Sequence, residues 1–259
     1  MIMGSVKNIF INFIKPTNTR VIFLKMVHHW RLENSEAALA WAKENVRSTD
    51  DYFQNLDSQI WEESLLASRE IVLHAKEIFS NIKLDLGGGG AYPILYFLTR
   101  KMNPKIIVET GVAAGWSSLS ILTAIEKNGN NGKLFSSDFP LFRFSDPENV
   151  IGILVPEKLK KNWNLDIRGD DFALPQFIRE IPSIDIFHYD SEKSYRGRQR
   201  AWDLVVNSLS NNAVVLFDDI QNNFHFRDLV QKLKPDFCVF EFQGKYIGLF
   251  HWDTRVLSD

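Results

Sequence analysis

The sequence predicts an α/β fold in which a doubly wound, mostly parallel sheet follows a helical N-terminal extension. From residue 105 onward, short apolar runs alternate with amphipathic stretches, which is the pattern of parallel strands joined by helices. Before residue 100, apolar residues recur at three- and four-residue spacing, the period of helices. This change divides the chain into an extension, residues 1–100, and a sheet domain, residues 101–259.

Composition narrows the functional classes before any motif is considered. The chain has 259 residues, of which 45% are apolar and 24% charged, enough for a large globular core. The net charge is -2, so no global field favours nucleic acid as a partner. One cysteine, Cys238, excludes an intramolecular disulfide and favours a cytoplasmic location. No apolar run reaches about 18 residues, so we expect no stable membrane insertion.

Within the extension, "SEAALAWAKENV" and "SQIWEESLLASREIVLHAKEIFSNI" predict two helices, at 35–46 and 58–82. We expect the extension to cover a substrate site or to make a homodimer contact. Four successive glycines at 87–90 then interrupt any regular structure. Two interpretations of this tract stay open: a linker between packed layers, or a loop that covers a ligand.

The sheet domain is read as strands that alternate with helices and end in a hairpin-like pair. The predicted strands are 105–109, 133–138, 165–170, 184–190 and 213–219, followed by the pair 237–242 and 246–252. The predicted helices are 116–127, 174–181, 195–209 and 226–233. Because ligands of such sheets bind at the carboxyl ends of the strands, the residues just after each apolar run are the functional candidates.

The turn after the first strand carries Glu109, Gly111, Ala113 and Gly115. Small residues let the backbone turn sharply and approach a ligand, although tight turns also use glycine for packing. A nicotinamide-binding turn would have a third glycine. The acidic-x-Gly-x-small-x-Gly form resembles the first motif of class I S-adenosylmethionine-dependent methyltransferases, which wraps the amino-acid end of the cofactor. The resemblance implies that Ser117 bonds the cofactor carboxylate, and this serine also suits a helix cap.

The ends of the second and third strands are candidates for the adenosine part of such a cofactor. Asp138 ends the second strand, where a carboxylate accepts hydrogen bonds from ribose hydroxyls. The resemblance implies that Asp170 or Asp171 accepts a hydrogen bond from the adenine amino group and that Phe172 packs on its ring. One of these two acids equally suits a helix cap.

Three carboxylates follow the fourth and fifth strands: Asp190, Asp218 and Asp219. Adjacent parallel strand ends bring them together, and like charges at short range are costly. Either raised pKa values or a bound hard cation such as Mg²⁺ would relieve the repulsion. Alternatively, one aspartate caps a helix and another pairs with Arg196 or Arg198.

The stretches "DSEKSY" and "LFDD" resemble the signatures of metal-dependent small-molecule O-methyltransferases of the catechol and caffeoyl-coenzyme A types. Asp190, Lys193 and Tyr195 match the fourth-strand signature, and Asp218–Asp219 match the fifth. A related bacterial group, which includes sugar O-methyltransferases, usually has His at the position of Lys193. The resemblance covers roughly residues 105–250 and implies a seven-stranded Rossmann-like methyltransferase sheet.

The resemblance implies transfer of a methyl group from S-adenosylmethionine to a hydroxyl of a small molecule. A divalent cation on Asp190, Asp218 and Asp219 would activate the hydroxyl. Lys193, its pKa lowered by the cation and burial, would take the proton, with Asp190 as the alternative base beside the cofactor. Two other functions stay open: a non-catalytic S-adenosylmethionine-binding protein and a nucleotide-dependent oxidoreductase.

Overall fold

A computed structural model describes residues 35–81, 88–140 and 148–253. Residues 1–34, at the start of the predicted extension, lie outside the described residues. Within the described part, no helix is long and apolar enough to cross a membrane.

The elements confirm an α/β protein with a helical N-terminal region. The helices are α1 Ser35–Asn45, α2 Thr49–Asn81, α3 Tyr92–Met102, α4 Trp116–Asn128, α5 Asp170–Glu180, α6 Tyr195–Val205 and α7 His225–Leu233. The strands are β1 Ile106–Thr110, β2 Lys133–Ser137, β3 Trp163–Asp166, β4 Ile184–Tyr189, β5 Leu209–Phe217, β6 Phe237–Phe242 and β7 Lys245–His251. A short 3₁₀ helix, Glu157–Asn162, precedes β3.

The seven strands form one mixed sheet in the order β3-β2-β1-β4-β5-β7-β6. The first five strands pair in parallel, and β7 runs antiparallel to both β5 and β6. The predicted C-terminal hairpin is therefore confirmed. The chain reverses its direction of winding at β1, whose neighbours are β2 and β4, and this switch point is where ligands of open α/β sheets bind.

Several predicted boundaries are wrong. α2 begins at Thr49 rather than at residue 58, β5 begins at Leu209 rather than at residue 213, and the sequence pattern does not predict α3. Two more errors lie next to the third strand. β3 ends at Asp166 rather than at residue 170, because the Asp166 carboxylate accepts hydrogen bonds from the backbone and side chain of Arg168 and turns the chain. Gly169, with φ of 88°, then allows α5 to begin at Asp170 rather than at residue 174. As a result, Asp170 lies in the first turn of a helix and not at a strand end.

Alternating side chains of the strands divide the core into two layers. Ile107 of β1 packs with α2, α3 and α4 on one face, and Val108 packs with α5, α6 and α7 on the other. The second helix is kinked at Asp57, whose carboxylate caps the segment that follows. Since α2 and α3 share a core with the sheet, the boundary at residue 100 stays a prediction.

Candidate active site

The carboxyl ends of four parallel strands lie side by side and present a row of functional candidates. Thr110 of β1 pairs in register with Ser137 of β2 and with Tyr189 of β4, which in turn pairs with Phe217 of β5. The residues that follow these four are Gly111, Asp138, Asp190 and Asp218. The structure therefore brings these four residues to one edge of the sheet, and their functional roles stay predictions.

The loop after β1 needs its glycines. Gly111 has φ of 82°, and a Cβ there would collide with the main-chain carbonyl of Asp190. Gly115 has φ of 94° and begins α4, while Ala113 also has positive φ, 47°. Because a left-handed backbone strains residues with a Cβ, the loop holds its shape at some cost. Such strain is typical of ligand-binding turns.

Asp138 fixes this loop from the neighbouring strand. Its Oδ2 accepts hydrogen bonds from the amides of Val112 at 2.8 Å and Ala113 at 2.7 Å. Its Oδ1 accepts one from the amide of Phe139 at 2.6 Å. The carboxylate is only partly buried, and its predicted role toward a ribose stays a prediction.

Glu109 lies beneath the loop rather than in it. Its fully buried carboxylate accepts hydrogen bonds from Ser118 at 2.6 Å and Ser136 at 2.8 Å, and it lies 3.6 Å from Nδ1 of His188. Burial alone would raise the pKa of Glu109, but His188 and the serine hydroxyls outweigh it and lower the pKa. Glu109 thus anchors the start of α4, where Ser117 is also buried.

The predicted adenine-binding residues separate into two environments. Asp170 is enclosed and accepts hydrogen bonds from the hydroxyls of Ser137, at 2.5 Å, and Ser191. Burial raises the pKa of Asp170 to about 6. Asp171 lies at the surface, and Phe172 is 54% exposed, which leaves its ring free to pack against a planar ligand.

Lysine side chains neutralise part of the acidic edge. The ammonium of Lys193 bonds Oδ1 of Asp190 and lies 2.9 Å from Oδ2 of Asp219. Lys245, from the start of β7, lies 3.7 Å from the same oxygen of Asp219. Sequence reasoning missed Lys245, because nothing in its surroundings in the chain indicates that the antiparallel β7 returns to this edge.

Burial disfavours the charged form of Lys193, but Asp190 and Asp219 outweigh it and raise its pKa. This direction contradicts the expectation that the pKa of Lys193 is lowered. The expectation assumed a neighbouring cation, whereas the groups nearest the ammonium are carboxylates.

Asp218 is the buried member of the acidic trio. Its side chain is 1% exposed, and both oxygens lack a hydrogen-bond partner among the described residues. Burial raises the pKa of Asp218 to about 7, and the negative charge of Asp190 adds to the effect. Gly90 passes directly over it, since a Cβ at Gly90 would collide with Asp218 and lie 3.1 Å from Oδ2 of Asp190. Gly90 of the glycine tract therefore lies at the acidic residues, and both interpretations of the tract stay open.

The three carboxylates do not surround a common point. Asp190 and Asp218 both approach Gly90, whereas Asp219 is turned toward Lys193 and Lys245. In the ranges that the structure describes, no group of three or more His, Cys, Asp or Glu side chains is arranged to hold a metal ion. A three-carboxylate metal site therefore does not fit this arrangement of side chains.

The part of the chain that contains these residues is similar to a known protein family. Residues 108–220, which include the strained loop and the acidic trio, match the family model described as "Methyltransferase domain". Residues 108–220 are therefore similar to a methyltransferase domain. Among curated proteins, none matches the sequence significantly.

Solved methyltransferase structures share the fold at low identity. An O-methyltransferase from Bacillus cereus, in complex with SAH, is 12% identical with a TM-score of 0.54, over 82% of this chain and all of that one. A methyltransferase from Geobacter sulfurreducens is 15% identical with a TM-score of 0.53, over 71% and 89% of the two chains. Cofactor-bound Rv0187 from MTB is 13% identical with a TM-score of 0.53, over 80% and 99%.

The buried Asp218 predicts a pH-dependent stability. Its pKa of about 7 in the folded protein exceeds the ordinary 3.8, so the folded state holds a proton that the unfolded chain loses between these values. The stability that this proton contributes is complete below pH 3.8 and is lost as the pH rises to about 7. We expect Asp218→Asn to raise the free energy of unfolding at pH 8 by on the order of 1–3 kcal/mol.

Urea unfolding of both proteins at pH 5 and pH 8 measures this effect. At pH 5 the two curves should approach each other, because the wild-type carboxyl is then protonated. Asp203→Asn, on the exposed face of α6, is the matched control and should change little at either pH. An Asp218→Asn protein that is less stable than wild type at pH 8 would contradict the buried like-charge pair.

Proposed function

We propose that this protein transfers a methyl group from S-adenosylmethionine to a hydroxyl of a small molecule. One observation carries the proposal: the Asp190–Lys193 pair lies directly beside the strained glycine loop, since the amide of Asp190 bonds the carbonyl of Thr110 at 2.9 Å. A cofactor on the loop would therefore present its methyl group near a carboxylate and an ammonium. The match of residues 108–220 to a methyltransferase domain supports this assignment.

The loop and its neighbours supply the cofactor site in this proposal. Gly111 and Gly115 allow the backbone to approach the amino-acid end of the cofactor, and Ser117 stands at the start of α4. Asp138, which fixes the loop through the amides of Val112 and Ala113, would accept hydrogen bonds from the ribose hydroxyls. The solved structures bound to SAH or cofactor share this fold, which supports S-adenosylmethionine as the donor.

In this proposal, residues of α5 bind the adenine, and a buried residue of β1 supports the loop. Asp170 would hold the adenine amino group from the first turn of α5, with Asp171 at its outer side. The exposed ring of Phe172 would pack on the adenine. The buried Glu109 would act from beneath, by keeping α4 and the loop in place.

The acceptor chemistry falls to Asp190 and Lys193. The carboxylate of Asp190 would take the proton of the acceptor hydroxyl, and the Lys193 ammonium would stabilise the developing oxyanion. The oxygen then attacks the methyl carbon in line with the carbon–sulfur bond, whose electron pair leaves with the sulfur. The main contribution of the protein is to hold the two reactants at attack distance.

The divalent cation predicted from the sequence stays a prediction. When bound, such an ion would polarise the acceptor oxygen. Asp190 and Asp218 are the two carboxylates that would hold it, and the unpaired oxygens of Asp218 favour them. Lys193 and Lys245 engage the third, Asp219, so no step of the proposed mechanism depends on the ion.

The acceptor is proposed only as a class, a small molecule rather than nucleic acid. Gly90 lies against Asp190 and Asp218, and the net charge of -2 gives no field that would favour a nucleic acid. The homodimer contact and the cytoplasmic location expected from the sequence stay predictions.

Cofactor binding gives the first test. Titration calorimetry should show one S-adenosylmethionine per chain, and Gly111→Ala should abolish binding, because its Cβ collides with the Asp190 carbonyl at positive φ. Gly129→Ala is the matched control, with φ of 68° in open space far from the loop, and it should bind like wild type. A wild-type protein that binds NAD but not S-adenosylmethionine would overturn the proposed function.

Catalysis gives the second test, with labelled methyl transfer to a panel of phenols and sugars. Asp190→Asn removes the proton acceptor, and we expect kcat to fall about 10²- to 10⁴-fold while S-adenosylmethionine affinity is retained. Chelation with EDTA should leave the wild-type rate unchanged. Loss of activity in EDTA and its recovery with Mg²⁺ would instead establish the metal-assisted route. Cofactor binding without transfer to any acceptor would favour a non-catalytic binding protein.

A further inference from the structure

Arg198 is a buried cation that the methyl-transfer chemistry does not itself require. It lies on α6 with 1% exposure, and its guanidinium lies 5.6 Å from the ring centre of Tyr189 and 6.0 Å from that of Phe217. Nε and Nη1 have no hydrogen-bond partner among the described residues. A buried cation without a carboxylate partner is costly, so its retention needs a compensating interaction.

That interaction is with the main chain of the acidic turn. Nη2 of Arg198 donates hydrogen bonds to the carbonyl of Asp218 at 2.7 Å and to that of Asp219 at 3.0 Å. Asp219 is in the left-handed conformation, with φ of 54° and ψ of 38°, which is strained for a residue with a Cβ. The planar guanidinium therefore holds two successive carbonyls across a strained turn, which a lysine cannot do in the same geometry.

The orientation of this turn decides where the carboxylate of Asp219 points. In the observed conformation its Oδ2 lies 2.9 Å from Nζ of Lys193, and Gln221 donates a hydrogen bond to its Oδ1 at 3.1 Å. Lys193 is held from the other side by Asp190. The position of the ammonium thus depends on both carboxylates, one of which is oriented by Arg198.

We propose that Arg198 is a positioning residue: by fixing the Asp218–Asp219 turn, it aims the Asp219 carboxylate at Lys193 and holds that ammonium beside the reacting atoms. The effect on turnover rests on the proposed function, whereas the effect on Lys193 does not. Arg196, two residues earlier on the same helix, is exposed and provides the matched control.

Chemical labelling of lysines tests the proposal without any substrate. Acetic anhydride acetylates free amines, and mass spectrometry compares Lys193 with Lys232, an exposed lysine on α7. We expect Arg198→Met to raise the labelling rate of Lys193 severalfold relative to Lys232, because Asp219 no longer holds the ammonium. This effect must exceed the loss of the Arg198 charge, which lowers the pKa of Lys193, and Arg198→Lys keeps that charge and isolates the effect of position. Arg196→Met should leave the ratio at its wild-type value. An unchanged ratio in folded Arg198→Met would overturn the positioning role.

Chemical rescue separates positioning from a structural effect. Arg198→Ala leaves a space between Tyr189 and Phe217 that guanidinium ion at millimolar concentration fits, and its addition should return Lys193 labelling toward the wild-type ratio. Arg198→Met fills that space and should not respond. Should either variant fail to fold, Arg198→Lys keeps the buried charge but cannot bridge both carbonyls, and it should still raise Lys193 labelling. Wild-type labelling in folded Arg198→Lys would count against the bridge.

Turnover then connects the proposal to methyl transfer. We expect Arg198→Met to lower kcat about tenfold or more, as is typical of groups that orient a site, with S-adenosylmethionine affinity unchanged. A kcat equal to wild type, together with altered Lys193 labelling, would show that the turn is fixed without consequence for catalysis. Failure of wild type to bind S-adenosylmethionine would overturn the proposed function and leave the labelling result to decide the role of Arg198.

Discussion

The organisation of this site depends on how like charges are tolerated at one edge of a sheet. Register places the ends of β1, β4 and β5 side by side, so Asp190, Asp218 and Asp219 are brought together by the fold itself. The protein relieves the repulsion with its own groups: burial and Asp190 raise the pKa of Asp218, and the ammonium of Lys193 lies between the other two carboxylates. Lys193 and Asp190, which reduce the repulsion among the carboxylates, also lie beside the proposed cofactor loop.

Much of this architecture can be predicted from the sequence. Alternating strands and helices specify the sheet, and the acidic residues after the apolar runs specify its functional edge, because parallel strands end together. The C-terminal hairpin is also evident from its two apolar runs. The start of α5 could not be predicted, because Gly169 and the Asp166–Arg168 bonds end β3 earlier than its apolar pattern suggests.

The side-chain contacts within the site cannot be predicted from the sequence, because they join distant parts of the chain. Lys245 reaches Asp219 through the antiparallel return of β7, and Gly90 lies against Asp218, from which it is far removed in the sequence. The pKa of Lys193 is raised rather than lowered for the same reason, since the sequence does not reveal that the carboxylates of Asp190 and Asp219 lie nearest its ammonium. The sequence also allows Arg198 to pair with an aspartate side chain. In the structure its guanidinium instead donates hydrogen bonds to the main-chain carbonyls of Asp218 and Asp219.

The protonation of Lys193 tests the account most directly. Lysine side chains labelled with ¹⁵N report the charge of each ammonium by NMR, and Lys193→Arg identifies the resonance of Lys193. If Asp190 and Asp219 hold the ammonium, its pKa lies above the ordinary 10.5, and the resonance keeps its charged position as exposed lysines titrate. A pKa of Lys193 below that of the exposed lysines would contradict the account and restore Lys193 as a free-amine base.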